Sequence, residues 1–278
     1  MPQTQGKSKT SPKVGTGVIT GDRSDIGVEL KPFTFGFYSG SSPARGLIAS
    51  ALLDKSLKDR YGGRVPVRGV AVVDHADADM DKLVGRTLEA LSKAGVDVPP
   101  ARVISVGSGL DVDAYVLFTK YEDVKSAEGH PIHFLGDLAG LPGHEVDDTF
   151  GDFSQLVPVL SDMIARALPS MLLMARYKHV GDIAAILADL LERYKLAQGK
   201  ISNQSKDFSA AAASVEVLES MIFGLAAPDG PIRKYAEAYG NVCMCGGTMQ
   251  LVSERYRDGI YELTFMCDRC GRKVTRYH

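Results

Sequence analysis

The sequence predicts an α/β fold on a parallel sheet, followed by a helical segment and a small β unit organised by cysteines. Three observations lead there. From Phe33 onward, short apolar runs of strand length alternate with longer amphipathic ones of helical period. Beyond about residue 160 the strands stop and helical spacing continues to about residue 239. All four cysteines lie near the end of the chain, as Cys243-Met-Cys245 and Cys267-Asp-Arg-Cys270. The implied organisation is a flexible tail over 1–32, an α/β domain over 33–170, a helical connector over 171–240 and a cysteine unit over 241–278.

Residues 1–32 are rich in Ser, Thr, Lys and Gly with little apolar periodicity, which predicts a tail able to pair as an edge strand near Val18-Ile19 or Val28-Leu30. An apolar strand is expected at 33–38, a helix at 44–59 and a second strand at Val67–Val73. A helix at 81–94 ends at Gly95, and Ala114–Phe118 and Ile132–Leu135 read as buried strands. A long amphipathic helix begins near Asp152 or Ser154, and Pro169 is expected to interrupt the helical pattern of Ser161–Gln198. Helices at Phe208–Leu225 and 231–239 follow, the first favoured by the propensity of Ala210–Ala213. The polar stretch Gly199–Ser209 reads as a loop.

Between the cysteine pairs, Met249–Tyr256 and Ile260–Met266 alternate as strands around a hairpin turn at Asp258-Gly259. Two close pairs on two turns can place Cys243, Cys245, Cys267 and Cys270 around one tetrahedral zinc. The unit resembles a zinc ribbon, its first pair one residue tighter than usual. Two disulfides are the alternative. A closed four-thiolate shell leaves no position for water, so this Zn(2+) is expected to be structural and part of the ribbon's folding free energy. Arg255, Arg257, Arg269, Arg272, Lys273 and Arg276 make the ribbon somewhat basic, with Tyr256, Tyr261 and Tyr277 available for stacking and acidic residues interleaved. Its expected roles are docking or stabilisation, with nucleic-acid contact as an alternative.

The chain has 278 residues, 45% hydrophobic and 24% charged, with formal net charge -2, the profile of a globular chain of one or two domains. That balance supplies no global attraction to nucleic acid or anionic membranes. The N-terminus lacks the apolar core of a signal peptide, and no run approaches the roughly 20 apolar residues that span a bilayer. A cytoplasmic protein with no membrane partner is the expectation.

Phe35-Gly-Phe-Tyr-Ser39-Gly-Ser-Ser-Pro-Ala-Arg45-Gly46 reads as a strand, a small-residue loop and a helix start. Such a loop aims backbone N–H groups and the positive end of a helix at one point. Gly40, Ser41, Ser42 and Ala44 are small enough to admit an anion, and Arg45 offers a planar fork for phosphate oxygens. Arg86–Asp97 supplies an amphipathic helix ending in Ala-Gly-Val-Asp, and Asp147-Asp-Thr-Phe-Gly151 an acidic segment. In this order and spacing, from Phe35 to near Leu168, the motifs resemble the low-molecular-weight protein tyrosine phosphatases and related arsenate reductases.

That resemblance implies a parallel-sheet phosphatase-like domain with a Cys-x5-Arg loop. It places the nucleophile at Ser39, the anion grip at Arg45 and the amides of 40–45, the proton donor at Asp147 with Asp148 as substitute, and an aromatic wall at Phe150. The chain departs from the pattern. Serine stands at the cysteine position, Ser42 at a bracing asparagine, Gly46 at a hydroxyl residue, Ser50 at a glutamate and Asp148 at a proline. Loop dipoles lower a thiol to a thiolate, but leave the much less acidic hydroxyl of Ser39 protonated. No base is assigned to it, because His75, His130, His133 and His144 are not placed by sequence. The departures together imply a catalytically silent domain that binds a phosphate-bearing or anionic partner. An active phosphatase with Ser39 standing for cysteine, and a nucleic-acid accessory factor acting through the ribbon, are the alternatives.

Overall fold

The computed structural model describes residues 30–74, 80–97, 103–106, 111–122, 124, 129–147, 152–202, 208–227, 230–257 and 259–277. The expected tail strand at 18–19, all of that at Val28-Leu30 but Leu30, which is in no strand, and Asp148, Phe150, His75 and the turn residue Asp258 lie outside them. Five parallel strands form the central sheet: β1 (Phe33–Tyr38), β2 (Val67–Val73), β3 (Val103–Ser105), β4 (Ala114–Leu117) and β5 (Ile132–Phe134), in the order β3-β2-β1-β4-β5. All of β1 is buried, as a central strand covered on both faces requires. β3 escaped the sequence reading because it is short and half-buried, with no apolar run to mark it.

The order places a topological switch point between β1 and β4. Connections leave β1 toward β2 and β3 on one side, whereas β4 and β5 lie on the other. In open parallel sheets, ligands bind outside the carboxyl ends of the strands at such a point.

Helix α1 (Ala44–Tyr61) lies unusually close to the sheet. A Cβ built on Gly46 would stand 2.7 Å from the Phe37 carbonyl oxygen and 3.1 Å from the Ala71 Cβ. One turn on, a Cβ on Gly69 would stand 2.8 Å from the Ser50 Cα. Gly46 and Gly69 are therefore small because packing demands it. Helix α2 (Met80–Lys93) follows β2, and the four-residue helix α3 (Leu135–Leu138) follows β5.

Helix α4 (Phe153–Ser202) runs unbroken for 50 residues through Pro158 and Pro169, so the expected interruption at Pro169 does not occur. An internal proline removes one hydrogen bond at a cost of about 3 kcal/mol. Burial of Leu156, Leu160, Met163, Ile164, Leu168, Met171 and Leu172 in the main core offsets that cost. The distal part of α4 leaves this core and packs against α5 (Phe208–Ala226) as a helical hairpin, joined by Leu190, Ala197, Leu218 and Leu225. By length and composition alone, α4 and Ser209–Tyr239 are each apolar enough to cross a membrane, a property that core helices share; half of the apolar stretch of α4 is buried.

Helix α6 (Pro231–Tyr239) returns to the main core through Ala238 and Tyr239. His179 of α4 is buried between the Tyr239 hydroxyl at 2.7 Å and the Lys31 carbonyl at 2.8 Å. Since the carbonyl only accepts, Nε2 carries the proton and the Tyr239 hydroxyl donates to Nδ1.

The antiparallel β6 (Met249–Arg257), β7 (Ile260–Cys267) and β8 (Lys273–Tyr277) complete the fold; β8 was not anticipated. The Tyr61 hydroxyl, at the end of α1, donates to the Gly246 carbonyl at 2.6 Å. A Cβ on Gly246 would stand 2.3 Å from the Pro169 Cα. The ribbon thus sits against α1 and α4 at Pro169.

Adding a side chain at the closest helix–sheet contact is expected to be costly. Gly46→Ser should lower the free energy of unfolding by about 1–3 kcal/mol, read as a reduced urea midpoint with unchanged slope.

Candidate functional site

The loop after β1 opens at Ser39, which is 2% exposed. Gly40 has φ +63°, a left-handed conformation that suits glycine. The turn closes through the Ser42 amide, which donates to the Ser39 carbonyl at 3.3 Å, while the Ser39 hydroxyl donates to the Ser42 carbonyl at 2.5 Å. The Asp74 amide, at the end of β2, donates to the Gly40 carbonyl. The Asp74 carboxylate accepts from the Tyr38 hydroxyl at 2.7 Å.

Pro43 is the N-cap of α1 and makes no side-chain cap. It has no side-chain acceptor to offer the first helical amides. Ala44, Arg45 and Gly46 are all buried, and Pro43 supplies no side-chain cap to the positive end of α1 where it meets the loop.

Arg45, 5% exposed, reaches across the switch point. Its Nη2 pairs with the Glu122 carboxylate at 2.7 Å, and its Nη1 donates to the Val146 carbonyl at 2.8 Å. The guanidinium carbon lies 5.3 Å from the centroid of the Phe118 ring. Glu122 also accepts from the amides of Phe118 at 3.0 Å and Thr119 at 3.2 Å, fixing the turn after β4. Burial pushes the Glu122 carboxyl up from its usual range, against the opposing pull of Arg45 and the two amides.

The sequence-derived residues Ser39, Gly40, Ser41, Ser42, Ala44 and Arg45 therefore form one loop and helix start. Asp147 is exposed and follows Val146, the residue whose carbonyl holds Arg45. Two carboxylates at the loop were missed, Glu122 and Asp74. Each lies just beyond a strand that borders β1, the position from which open parallel sheets draw their site residues. The Ser39 hydroxyl bonds to a carbonyl of its own loop. Of the histidines considered, His130 and His144 are exposed and His133 is partly buried, its pKa lowered by desolvation.

The second constellation is the cysteine cluster. The Sγ atoms of Cys243, Cys245, Cys267 and Cys270 all lie within 4.8 Å of one another. Cys243–Cys270 and Cys245–Cys267 approach to 3.7 and 3.5 Å, and all four are free thiols. Tetrahedral zinc with Zn–S near 2.3 Å implies sulfur edges of about 3.8 Å, so the group is the right size for one ion. Each pair sits on a tight turn. The Gly246 amide donates to the Cys243 carbonyl, and the Gly271 amide to the Cys267 carbonyl. A Cβ on Gly247 would stand 2.5 Å from the Cys267 Sγ, so glycine is required there. Burial pushes the Cys245 thiol up to about 12, whereas the Arg272 amide draws Cys270 down to about 7.

No family model and no curated protein sequence matches the chain. Among solved structures, the low-molecular-weight protein tyrosine phosphatase of T. tengcongensis matches at 16% identity and a TM-score of 0.38, covering 48% of this chain and 96% of that one. The similarity is to low-molecular-weight phosphatases. A second match, from Vibrio cholerae O395, has 11% identity and a TM-score of 0.38, covering 50% of this chain and 95% of its own. A third is the YwlE arginine phosphatase, in a mutant form with a phosphorylated active-site serine. It has 20% identity and a TM-score of 0.37, covering 48% of this chain and 92% of its own.

The pairing of Arg45 with Glu122 makes a thermodynamic prediction. Arg45→Ala leaves a buried carboxylate uncompensated and should cost about 3–5 kcal/mol in urea unfolding. Combining Arg45→Met with Glu122→Gln should cost less than Arg45→Ala alone.

Proposed function

We propose that this chain is a catalytically silent, phosphatase-like cytoplasmic protein that binds a phosphate-bearing or otherwise anionic partner through loop 39–46, with a structural zinc ribbon for docking. The observation that supports it most is the buried N-terminus of α1, which lacks a side-chain cap and opens at the switch point beside Arg45. Helix-end amides and the positive end of a helix favour an anion at that place. Because Glu122 balances the charge of Arg45, the attraction rests on aligned amides more than on net charge.

The reactive part is what the loop lacks. Ser39 is buried, holds its proton on the Ser42 carbonyl, and its loop supplies dipoles suited to a thiolate. A hydroxyl needs a general base to attack phosphorus, and the hydrogen bond that Ser39 makes is to a carbonyl that only accepts. The resemblance gives Asp147 the proton-donor role, so restoring a thiol tests whether the rest of the machinery survives.

Inorganic phosphate should bind saturably by calorimetric titration, and Ser41→Asp, an exposed change that adds a negative charge at the loop mouth, should weaken it about tenfold or more. Ser39→Cys should leave aryl phosphate hydrolysis at background. Turnover by Ser39→Cys that Asp147→Asn abolishes would favour the active-phosphatase reading instead.

Four thiolates in a closed shell favour zinc over harder ions and give it no open coordination position. The ion would hold the two turns of the ribbon together, and Cys243, Cys245, Cys267 and Cys270 would be its ligands. Elemental analysis should find one zinc per chain, absent in Cys267→Ser. Chelation should collapse the NMR dispersion of residues 243–277 while the parallel sheet persists. A metal-free protein with an intact ribbon would contradict the zinc assignment.

A further inference from the structure

The distal half of α4 and α5 form a two-helix hairpin with an apolar face that the other described residues leave uncovered. Along α5, the described side chains that are buried are those of Ala211, Leu218 and Leu225, a single seam facing α4. Its sequence nevertheless carries charge only at Glu216 and Glu219. A helix apolar on most of its circumference is normally covered on more than one side. One uncovered side is a groove of about 670 Å³ between the helices, bordered by Leu196 and Lys200 of α4 and by Ser214, Val217 and Met221 of α5. Leu196 is 65% exposed and Val217 54%.

The charges beside this groove are ordered along α4. Lys178, Asp182, Asp189, Arg193 and Lys200 share one stripe at spacings of four, seven, four and seven residues; from Asp189 onward it runs from acidic toward the α/β domain to basic near the hairpin tip. Asp182 and Asp189 already bind Lys178 and Arg193 one turn away, at 2.9 Å in each case. An acidic-to-basic gradient is complementary to itself when reversed. If a second α4 runs antiparallel with its crossing point between residues 194 and 195, Asp189 of each copy faces Lys200 of the other. Arg193 then lies beside the opposing Leu196.

We infer that this face pairs with a second copy of the chain, as a twofold antiparallel four-helix bundle that buries Leu196, Val217 and Met221. In this register residues 187–202 of the two α4 helices overlap, about 24 Å of helix, and two helices side by side are about 20 Å wide. The flat outline is about 480 Å² per copy before counting its ridges, a small contact beside the roughly 800 Å² per partner of a standard interface. A twofold contact must be self-complementary, as the charge stripe is.

Sedimentation velocity on the full chain at micromolar concentration tests the pairing. The wild type should sediment at twice the 29.9 kDa of one chain, and Leu196→Glu with Val217→Glu should be monomeric with unchanged circular dichroism. Asp189→Lys alone should weaken association about tenfold, by reversing two symmetric ion pairs. Adding Lys200→Asp to the same chain should restore it, an outcome specific to the antiparallel register. A monomeric wild type, a dimer that survives the double glutamate variant, or a charge swap that fails to restore pairing would each overturn the proposal. So would a monomeric wild type floating with phosphatidylcholine vesicles, which would mean that lipid covers this face.

Discussion

The buried ion pair between Arg45 and Glu122 spans the crevice between β1 and β4, and the geometry of the loop depends on it. Arg45 belongs to the first turn of α1, Glu122 to the turn after β4, and the Val146 carbonyl to the segment leading into α4. Three chain segments that share no secondary structure are thereby joined at one guanidinium. A buried pair of this kind adds little net stability against an apolar equivalent, yet losing one member leaves a charge stranded. Its consequence is geometric. It fixes the start of α1, and with it the direction of the amides around the loop.

The close approach of α1 to the sheet serves the same arrangement from below. Gly46 and Gly69 let helix and strand backbones meet at distances that a Cβ would forbid. At the far end of α1, Tyr61 binds the first cysteine turn through the Gly246 carbonyl, and Pro169 of α4 supplies the other surface of that contact. The ribbon is therefore attached to the end of the α/β domain opposite the loop. Whatever docks on the ribbon approaches from a different side than an anion at residues 40–45.

Much of this was readable from the residues. Apolar runs such as Ala114–Phe118 marked buried parallel strands, and the Cys243 and Cys270 pairs marked one four-thiol cluster, because local pattern and spacing encode both. What was not readable depended on contacts distant in sequence. Glu122 is a lone acid in a short turn, and only the adjacency of β1 and β4 brings it to Arg45. Pro169 looked like a break because its local cost is visible, whereas the core that absorbs it is not. Gly46 and Ser50 looked like losses from a catalytic motif. The structure adds a packing reason for Gly46, since a side chain there would collide with the sheet. Strand β3 and helix α3 are too short to carry a periodic signal.

The central claim is that the amides between Gly40 and Arg45, held in place by the Arg45–Glu122 pair, form an anion site. Titrating inorganic phosphate into isotope-labelled protein while following backbone amide NMR shifts tests it most directly. The account predicts saturable shifts concentrated at residues 40–46 and at Glu122, with the ribbon amides unmoved. Shifts confined to other surfaces, or none at residues 40–46 at saturating phosphate, would contradict it.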